Sequence, residues 1–149
     1  MPTLPVILSL NRSNYPEIMD LWESSVRATH HFLRPEEIRF YRPLVQKYGL
    51  PQSNLFGIRR DQKLSAFIGL QNAKIEMLFV RPDSFRQGLG SALLSFAIKE
   101  HGCRFIDVNE ENPEALAVYR KFGFRLVKRD ATDDCGKPHP ILHLALPAS

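Results

Sequence analysis

The chain has 149 residues, 44% of them apolar and 24% charged, a balance that excludes a wholly disordered chain, a collagen-like fibre and a membrane bundle. That length argues for a single domain, 1–149, whose core needs no disulfide or metal to hold it. Twenty basic residues against 16 acidic ones give +4, a mild bias that suits a polyanionic small molecule as readily as RNA and gives nucleic acid little support as a partner.

Leu4 to Leu10 reads as a first strand and Asn11 to Asn14 as a polar turn. Pro16 then stands near the first helical position, where its missing N–H costs little, and Ile18, Leu21, Trp22 and Ser25 continue a helical stripe to about Thr29. A second helix opens at Pro35-Glu36-Glu37, with acids at the positive helix start. Its face is Ile38, Tyr41, Val45 and Tyr48, Pro43 inside it predicts a kink or a split, and Gly49 and Pro51 end it. Leu55 to Arg59 and Leu64 to Leu70 are strand-like runs, with Arg60 to Lys63 as the hairpin turn between them. Lys74 to Val80 is a third run, closed by Pro82, and Ser84 to Gly90 is a loop.

Leu89, Leu93, Leu94, Ala97 and Ile98 form an apolar helical face ending near Gly102, and Arg104 to Val108 is a strand. Pro113 opens the last helix, with Ala115, Val118, Tyr119 and Phe122 on one face and Gly123 as its stop. Phe124 to Arg129 and Ile141 to Leu146 are the final strands, joined by a loop holding Asp133, Asp134, Gly136 and Pro138. The order is β-α-α-β-β-β-α-β-α-β-β. Three sequential strands predict antiparallel pairing, and the later β-α-β unit predicts one parallel pair, hence an α/β mixed sheet flanked by helices.

The apolar runs, such as Met77 to Val80, are far shorter than the roughly 20 residues of a membrane-spanning helix, so no membrane association is expected. Met1 to Pro5 carries no basic region before a long apolar stretch, and Cys103 and Cys135 form no C-x-x-C motif. Both features suit a cytoplasmic protein with two free thiols. A homodimer is compatible with the sequence but not required by it.

Arg86-Gln87-Gly88-Leu89-Gly90-Ser91 lies between a strand and an amphipathic helix. Its glycines let the backbone approach a ligand closely, and the free N–H groups of a helix start, with the helix dipole, make an anion site. Arg86 is placed to add a charge-assisted contact to phosphate. The turn is neither a Walker loop, which needs G-x-x-x-x-G-K-[ST], nor a Rossmann turn, whose third glycine is replaced here by Leu93. By itself it is also compatible with a plain glycine-rich helix start.

Two segments settle between these readings by resemblance. Met77 to Leu94 resembles the acetyl-CoA motif of the GCN5-related N-acetyltransferase (GNAT) superfamily, a strand and a proline followed by Q/R-x-x-G-x-G/A at a helix start. Asn109 to Phe124 resembles that family's N…A…Y-x-K-x-G-F motif, in the right order and at about the right distance. Ser25 to Leu33 and Asp134 to Leu142 further resemble a bacterial subgroup of small acetyltransferases. The resemblance implies a GNAT-like fold with acetyl-CoA as cofactor and a small-molecule or peptide amine as acceptor. It also implies pantetheine pairing along Leu78, Phe79 and Val80, with cofactor contacts at Arg86, Gln87, Gly88, Leu89, Gly90, Ser91 and Asn112. Phe85 departs from the family, which usually has Arg or Gln there: if backbone amides hold the phosphate, Phe is tolerated; if a side chain grips it, Arg86 must substitute; and cofactor binding is expected to survive either way.

Acetyl transfer to an amine requires that the ammonium, with pKa ~10.4, lose its proton, that the oxyanion find a donor, and that the thiolate be protonated. By resemblance Tyr119 holds the general-acid position, although its spacing suits a core tyrosine equally. Glu76, on the strand leading into the cofactor motif, is the candidate base, with a solvent-facing strand residue as the alternative; Glu110, Glu111, His30 and His31 compete. Asn112 fits a helix N-cap before Pro113 as well as a cofactor contact. His30 and Phe32, at the end of the first helix, are expected beside the acceptor. Cys103, with no neighbouring histidine, reads as a buried thiol rather than an acyl carrier, which favours direct attack in a ternary complex. No His/Cys/Asp cluster has zinc spacing, so no metal is expected, and His139 and His143 suit one strand face better than a metal pair. Arg120, Lys121, Arg125, Lys128 and Arg129 form a basic group that is either a solvated face or an attractor of cofactor phosphates. The competing function is a non-catalytic acyl-CoA-binding sensor module.

Overall fold

In a computed structural model, which describes residues 5–148, the strands are β1 (Leu8–Leu10), β2 (Asn54–Arg60), β3 (Lys63–Gln71), β4 (Lys74–Val80), β5 (Phe105–Asn109), β6 (Arg125–Asp130) and β7 (Ile141–Ala145). The helices are α1 (Tyr15–Thr29), α2 (Pro35–Leu44), α3 (Leu89–His101) and α4 (Pro113–Lys121). One seven-stranded sheet runs β1-β2-β3-β4-β5-β7-β6, antiparallel except for β4 and β5. The final hairpin turns back, so β7 rather than β6 lies beside β5.

Two apolar layers enclose the sheet. On one face Ile18, Leu21, Trp22 and Val26 of α1 and Ile38 of α2 pack with Leu55, Leu64 and Phe67. On the other, Leu89, Leu93, Leu94 and Ala97 of α3 and Tyr119 of α4 cover Ile68, Ile75, Ile106, Val108 and Leu144. The β2–β3 turn is tighter than the sequence suggested. Only Asp61 and Gln62 lie outside the strands, at φ +51° and +66°, the left-handed pair that matches strand twist in a two-residue hairpin.

Three expectations need correction. The first strand is shorter than Leu4 to Leu10: Leu4 lies outside the described residues, and the β1 ladder ends at Leu8↔Gly57, one residue before β2 meets a bulge at Ser65 of β3. The second helix does not simply kink at Pro43. It passes into a π turn, Val45–Gly49, in which Leu50 N–H donates to the Val45 carbonyl at 2.9 Å. The wider turn swings Tyr48 off the apolar stripe, leaving it exposed. On α4, Val118 is 39% exposed rather than core, and Leu116 packs inward instead.

Candidate active site

The parallel pair opens the sheet. β4 and β5 are paired only at Lys74↔Phe105 and Ile75↔Ile106, and from there they diverge. The edge of β4 from Glu76 to Val80 therefore carries backbone groups with no ladder partner on the β5 side. A cavity of about 750 Å³ occupies this wedge, with Leu78, Phe79 and Val80 on one wall and Val108 and Asn109 on the other.

A bulge aims Glu76. Gly69 pairs with Met77 and Leu70 with Ile75, so Glu76 is the extra residue of β4. Gly69 makes the bulge affordable in space, because a Cβ there would stand 2.8 Å from the Met77 methyl and 3.2 Å from Ser53. Ile75 and Leu78 pack on the α3 side while Met77 and Phe79 pack on the α1 side. The alternation slips at Glu76, whose side chain lines the cavity at 33% exposure. Burial pushes its carboxyl above the usual carboxylate range; Lys74 opposes this and Asp107 and Asp134 add to it.

Tyr119 lies in the core and also faces the cavity. Its ring lies in the core, edge-on to Phe124 at 6.3 Å, and the residue is 8% exposed. Its hydroxyl has no partner among the described residues, yet it is not sealed in, and the side chain lines the cavity. Burial pushes the phenol up to about 12, so it stays protonated and able to donate at neutral pH.

At the other end of the wedge, α3 begins without a side-chain cap, and its first backbone bond runs from Ala92 N–H to the Gly88 carbonyl. The amides of Leu89, Gly90 and Ser91 thus have no helical acceptor. Arg86 at φ +63° and Gly88 at φ +80° form the bend before them. Phe85 and Gly90 line the cavity, whereas Arg86, Gln87, Gly88, Leu89 and Ser91 do not. The Leu89 side chain is in the core, and Arg86 and Ser91 are exposed. Gln87 accepts a hydrogen bond from Arg60, which ties the bend to the β2–β3 hairpin. Asn112 caps α4, accepting from Ala115 N–H at 3.3 Å, and also lines the cavity.

His30 lines the cavity, and its Nδ1 lies 2.7 Å from the Thr29 hydroxyl. That hydroxyl spends its hydrogen on the Ser25 carbonyl at 2.8 Å, so the imidazole N–H sits on Nδ1 and Nε2 keeps its lone pair. Burial, with His31 nearby, lowers its pKa to about 4. Phe32 does not reach this cavity. It packs between His30 and His139 at 5.2 and 5.5 Å and lines a smaller cavity with Glu37, Phe40 and Lys137, because the chain turns away after Thr29. Of the competing bases, His30 lines the cavity and His31 does not, Glu110 pairs with Arg129 at 2.7 Å, and Glu111 lies 3.3 Å from His139. The basic group on α4 and β6 is exposed and none of it lines the cavity. Cys103 is buried and Cys135 exposed, both as free thiols.

Several residues of this site carry no motif. Asp133 accepts from Tyr41, 92 positions away, and from the amides of Cys135 and Lys137 at 2.9 Å, which braces the β6–β7 loop against α2. The run Asp-Asp-Cys-Gly-Lys signals a side-chain-braced turn, but not what it faces. Beside it His139 Nε2 lies 2.6 Å from Glu37. The His139 hydrogen bond holds Glu37 below its ordinary 4.5. Burial works against the His139 charge, but Glu37 and Glu111 outweigh it and raise the imidazole above 6.5. A raised histidine stabilises fully below its unfolded value, and a depressed carboxylate fully above its own, so the pair is worth most between pH 4.5 and 6.5. His139→Gln is expected to lower Tm more at pH 6 than at pH 9, by roughly 3 °C for about 1 kcal/mol; scanning calorimetry at the two pH values checks it.

Among the described residues no helix is long and apolar enough to cross a membrane, and no three or more His, Cys, Asp or Glu side chains converge as a metal-binding group. The acetyltransferase (GNAT) domain family matches residues 51–126. The chain is 34% identical over 145 residues to the peptidyl-lysine N-acetyltransferase YjaB of Escherichia coli (strain K12), covering 94% of this chain and 97% of that protein. It is 28% identical over 138 residues to the peptidyl-lysine N-acetyltransferase YiaC of the same organism, covering 92% and 94%. The solution structure of apo YjaB superposes with a TM-score of 0.87 at 30% identity, over 99% of this chain and all (100%) of that one. The PaiA N-acetyltransferase of Thermoplasma acidophilum in complex with coenzyme A superposes at 0.73 and 19% identity, over 93% and 96%, and shows the shared fold.

Proposed function

The chain belongs to the GNAT acetyltransferase family, and from that premise we propose that its acceptor is a lysine side chain in a peptide or protein, whose amine attacks directly while donor and acceptor share the cleft. Membership makes it an N-acetyltransferase that takes its acetyl group from acetyl-CoA. The observation that carries the acceptor reading is the charge of the cleft. In a chain of net charge +4, Glu76, Asp107, Glu114, Asp133 and Asp134 line the cavity, and no lysine or arginine among the described residues does. Such a wall attracts a cationic amine. The peptidyl-lysine activity of the relatives favours a lysine over a small amine.

Acetyl-CoA supplies an acetyl group already activated as a thioester. The residues of this chain supply the rest. The free amides of Leu89, Gly90 and Ser91, with Gly88 at the bend and Arg86 and Gln87 beside it, suit a diphosphate. The unpaired edge at Leu78, Phe79 and Val80 suits an extended amide-bearing arm, with Asn112 opposite. Glu76 takes the proton of the ammonium and releases it to solvent, and the nitrogen forms its bond to the acetyl carbon as the C–S bond breaks. Tyr119 gives its proton to the departing sulfur, and the second proton shed by the nitrogen restores the phenol. The products are an amide and a free thiol. His30 borders the acceptor as a neutral hydrogen-bond acceptor. Cys103 takes no part: it is buried, and burial raises its thiol. The same domain is read over the whole chain, supported by a sheet that runs from Leu8 to Ala145.

Thiol release from acetyl-CoA with a panel of amines tests this. Lysine peptides with neutral or basic neighbours are expected to exceed lysine flanked by Asp or Glu at least tenfold in kcat/KM, about 1.4 kcal/mol, and to exceed spermidine. A reversed order removes the acceptor reading, and no thiol release with any amine leaves the non-catalytic binding module.

A further inference from the structure

Behind Glu76 the charges alternate across four strands. Lys74 Nζ lies 2.7 Å from Asp107 Oδ2 and 3.9 Å from Glu76 Oε2. The other Asp107 oxygen lies 2.7 Å from His143 Nδ1, and His143 Nε2 lies 2.6 Å from Asp130. Glu76, Lys74, Asp107, His143 and Asp130 thus read minus, plus, minus, plus, minus from β4 through β5 and β7 to β6. Ile75, Ile106, Val108, Leu142 and Leu144 point into the α3-side core, so strand alternation puts Lys74, Asp107 and His143 together on the opposite face. Alternation from Lys74 carries Glu76 onto that face too, and the bulge then turns Met77 to the same side.

We propose that Lys74 is a positioning residue for acetyl transfer: its ammonium, shared between Asp107 and Glu76, holds Glu76 in the ionised form that accepts the acceptor's proton. The proposal rests on the reading of Glu76 as base.

Lys74 has charge to give because Asp107 is not its partner alone. His143 engages the second Asp107 oxygen and is itself backed by Asp130, whose side chain also takes Lys128 at 3.5 Å. Burial works against charge on His143, but Asp130 and Asp107 outweigh it and raise its pKa. The side chains of Glu76, Lys74 and Asp107 are each about two-thirds covered, so water screens them only in part. The other groups around Glu76 do not help it ionise. Asp107 on β5 and Asp134 on the β6–β7 loop are like charges that push its pKa up. Asp133 and Cys135 of that loop, Glu114 of α4, Tyr41 and Tyr48 of α2 and its π turn, and His30 complete the surrounding titratable set. Among the described residues Lys74 is the cation that lies within 4 Å of Glu76, and it opposes both burial and the neighbouring carboxylates.

The test uses two variants with opposite expected signs. Lys74→Met removes the cation, and the Glu76 carboxyl, followed by its side-chain carbon NMR signal, is expected to titrate about one pH unit higher. Asp107→Asn removes a like charge and frees Lys74, and the same signal is expected to move lower. The acid limb of kcat/KM follows each shift, so Lys74→Met loses about tenfold on that limb and recovers toward the parent rate at high pH. The limb set by the acceptor amine, near 10, stays in place. A merely structural Lys74 would lower the rate at every pH without moving the limb, and that result, or an NMR titration unmoved or moved the same way by both variants, overturns the proposal. Glu76→Gln separates the two readings. If the NMR shifts appear but the acid limb persists in Glu76→Gln, the Lys74 coupling holds while Glu76 is not the base, and Lys74 then has no part in the reaction.

Discussion

Replacing Tyr119 with phenylalanine is expected to lower kcat at least about a hundredfold while leaving acetyl-CoA affinity within twofold and Tm unchanged. The three readouts follow from where the residue's parts sit. The ring, packed with Phe124 beneath α4, is kept by phenylalanine, so the core loses nothing. The hydroxyl has no partner among the described residues, so its removal leaves no orphaned group behind. What disappears is the phenolic proton donor on this wall of the wedge, and a positioned general acid is worth about 10²–10⁴ in rate. Because burial holds the phenol at about 12, the parent enzyme should show no loss of rate from Tyr119 deprotonation below about pH 11. Steady-state kinetics with a lysine peptide, titration calorimetry with coenzyme A and a thermal melt check the three values. Turnover equal to the parent removes Tyr119 from the chemistry and leaves it a core residue.

The order of elements was readable because it rests on local signals. Pro16, Pro35 and Pro113 stand at helix starts, Gly102 and Gly123 at helix stops, and the apolar period changes between them. The glycine turn at Arg86 to Ser91 was readable for the same reason, since a free helix start is a property of a few consecutive residues. The aiming of Glu76 was not. Lys74-Ile75-Glu76-Met77 alternates polar with apolar, but Leu78-Phe79-Val80 is apolar throughout, so the sequence does not show where the phase slips between them. The bulge arises from the match of β4 to Gly69 on another strand. The same limit explains Val118. Helical spacing tells which residues share a face, not which neighbour that face meets, and α4 sets one flank against the sheet and the other against the wedge. Tyr41 with Asp133, and Lys74 with Asp107, join residues far apart in the chain, and only the completed sheet and loop bring them together. Thus the free helix start, a backbone feature of consecutive residues, was legible, whereas the side-chain arrangement around Glu76, drawn from separate elements, was not.

That division gives the second large effect, which contrasts two glycines of one turn. Gly88 sits at φ +80° with nothing within 4 Å of an added Cβ, so Gly88→Ala has room but pays for left-handed geometry. About 1–2 kcal/mol of stability is expected to go, roughly 2–6 °C in Tm, with the amides of Leu89 to Ser91 still in place. Gly90 is the reverse. A Cβ there meets Val80 Cγ2 at 3.7 Å, an ordinary contact, so Gly90→Val is expected to fold with Tm within a few degrees of the parent. Its added methyl groups, however, stand at the cavity wall beside the free helix start. A diphosphate seated on those amides needs close approach to the backbone, and a branched side chain there prevents it. Coenzyme A affinity is therefore expected to fall at least tenfold, about 1.4 kcal/mol, in Gly90→Val and by less in Gly88→Ala. Calorimetry with coenzyme A beside thermal melts reads both quantities. If Gly90→Val bound coenzyme A as tightly as the parent, the start of α3 would not be where the diphosphate lies. The basic group on α4 and β6, exposed and away from the cavity, would then be the next place to look.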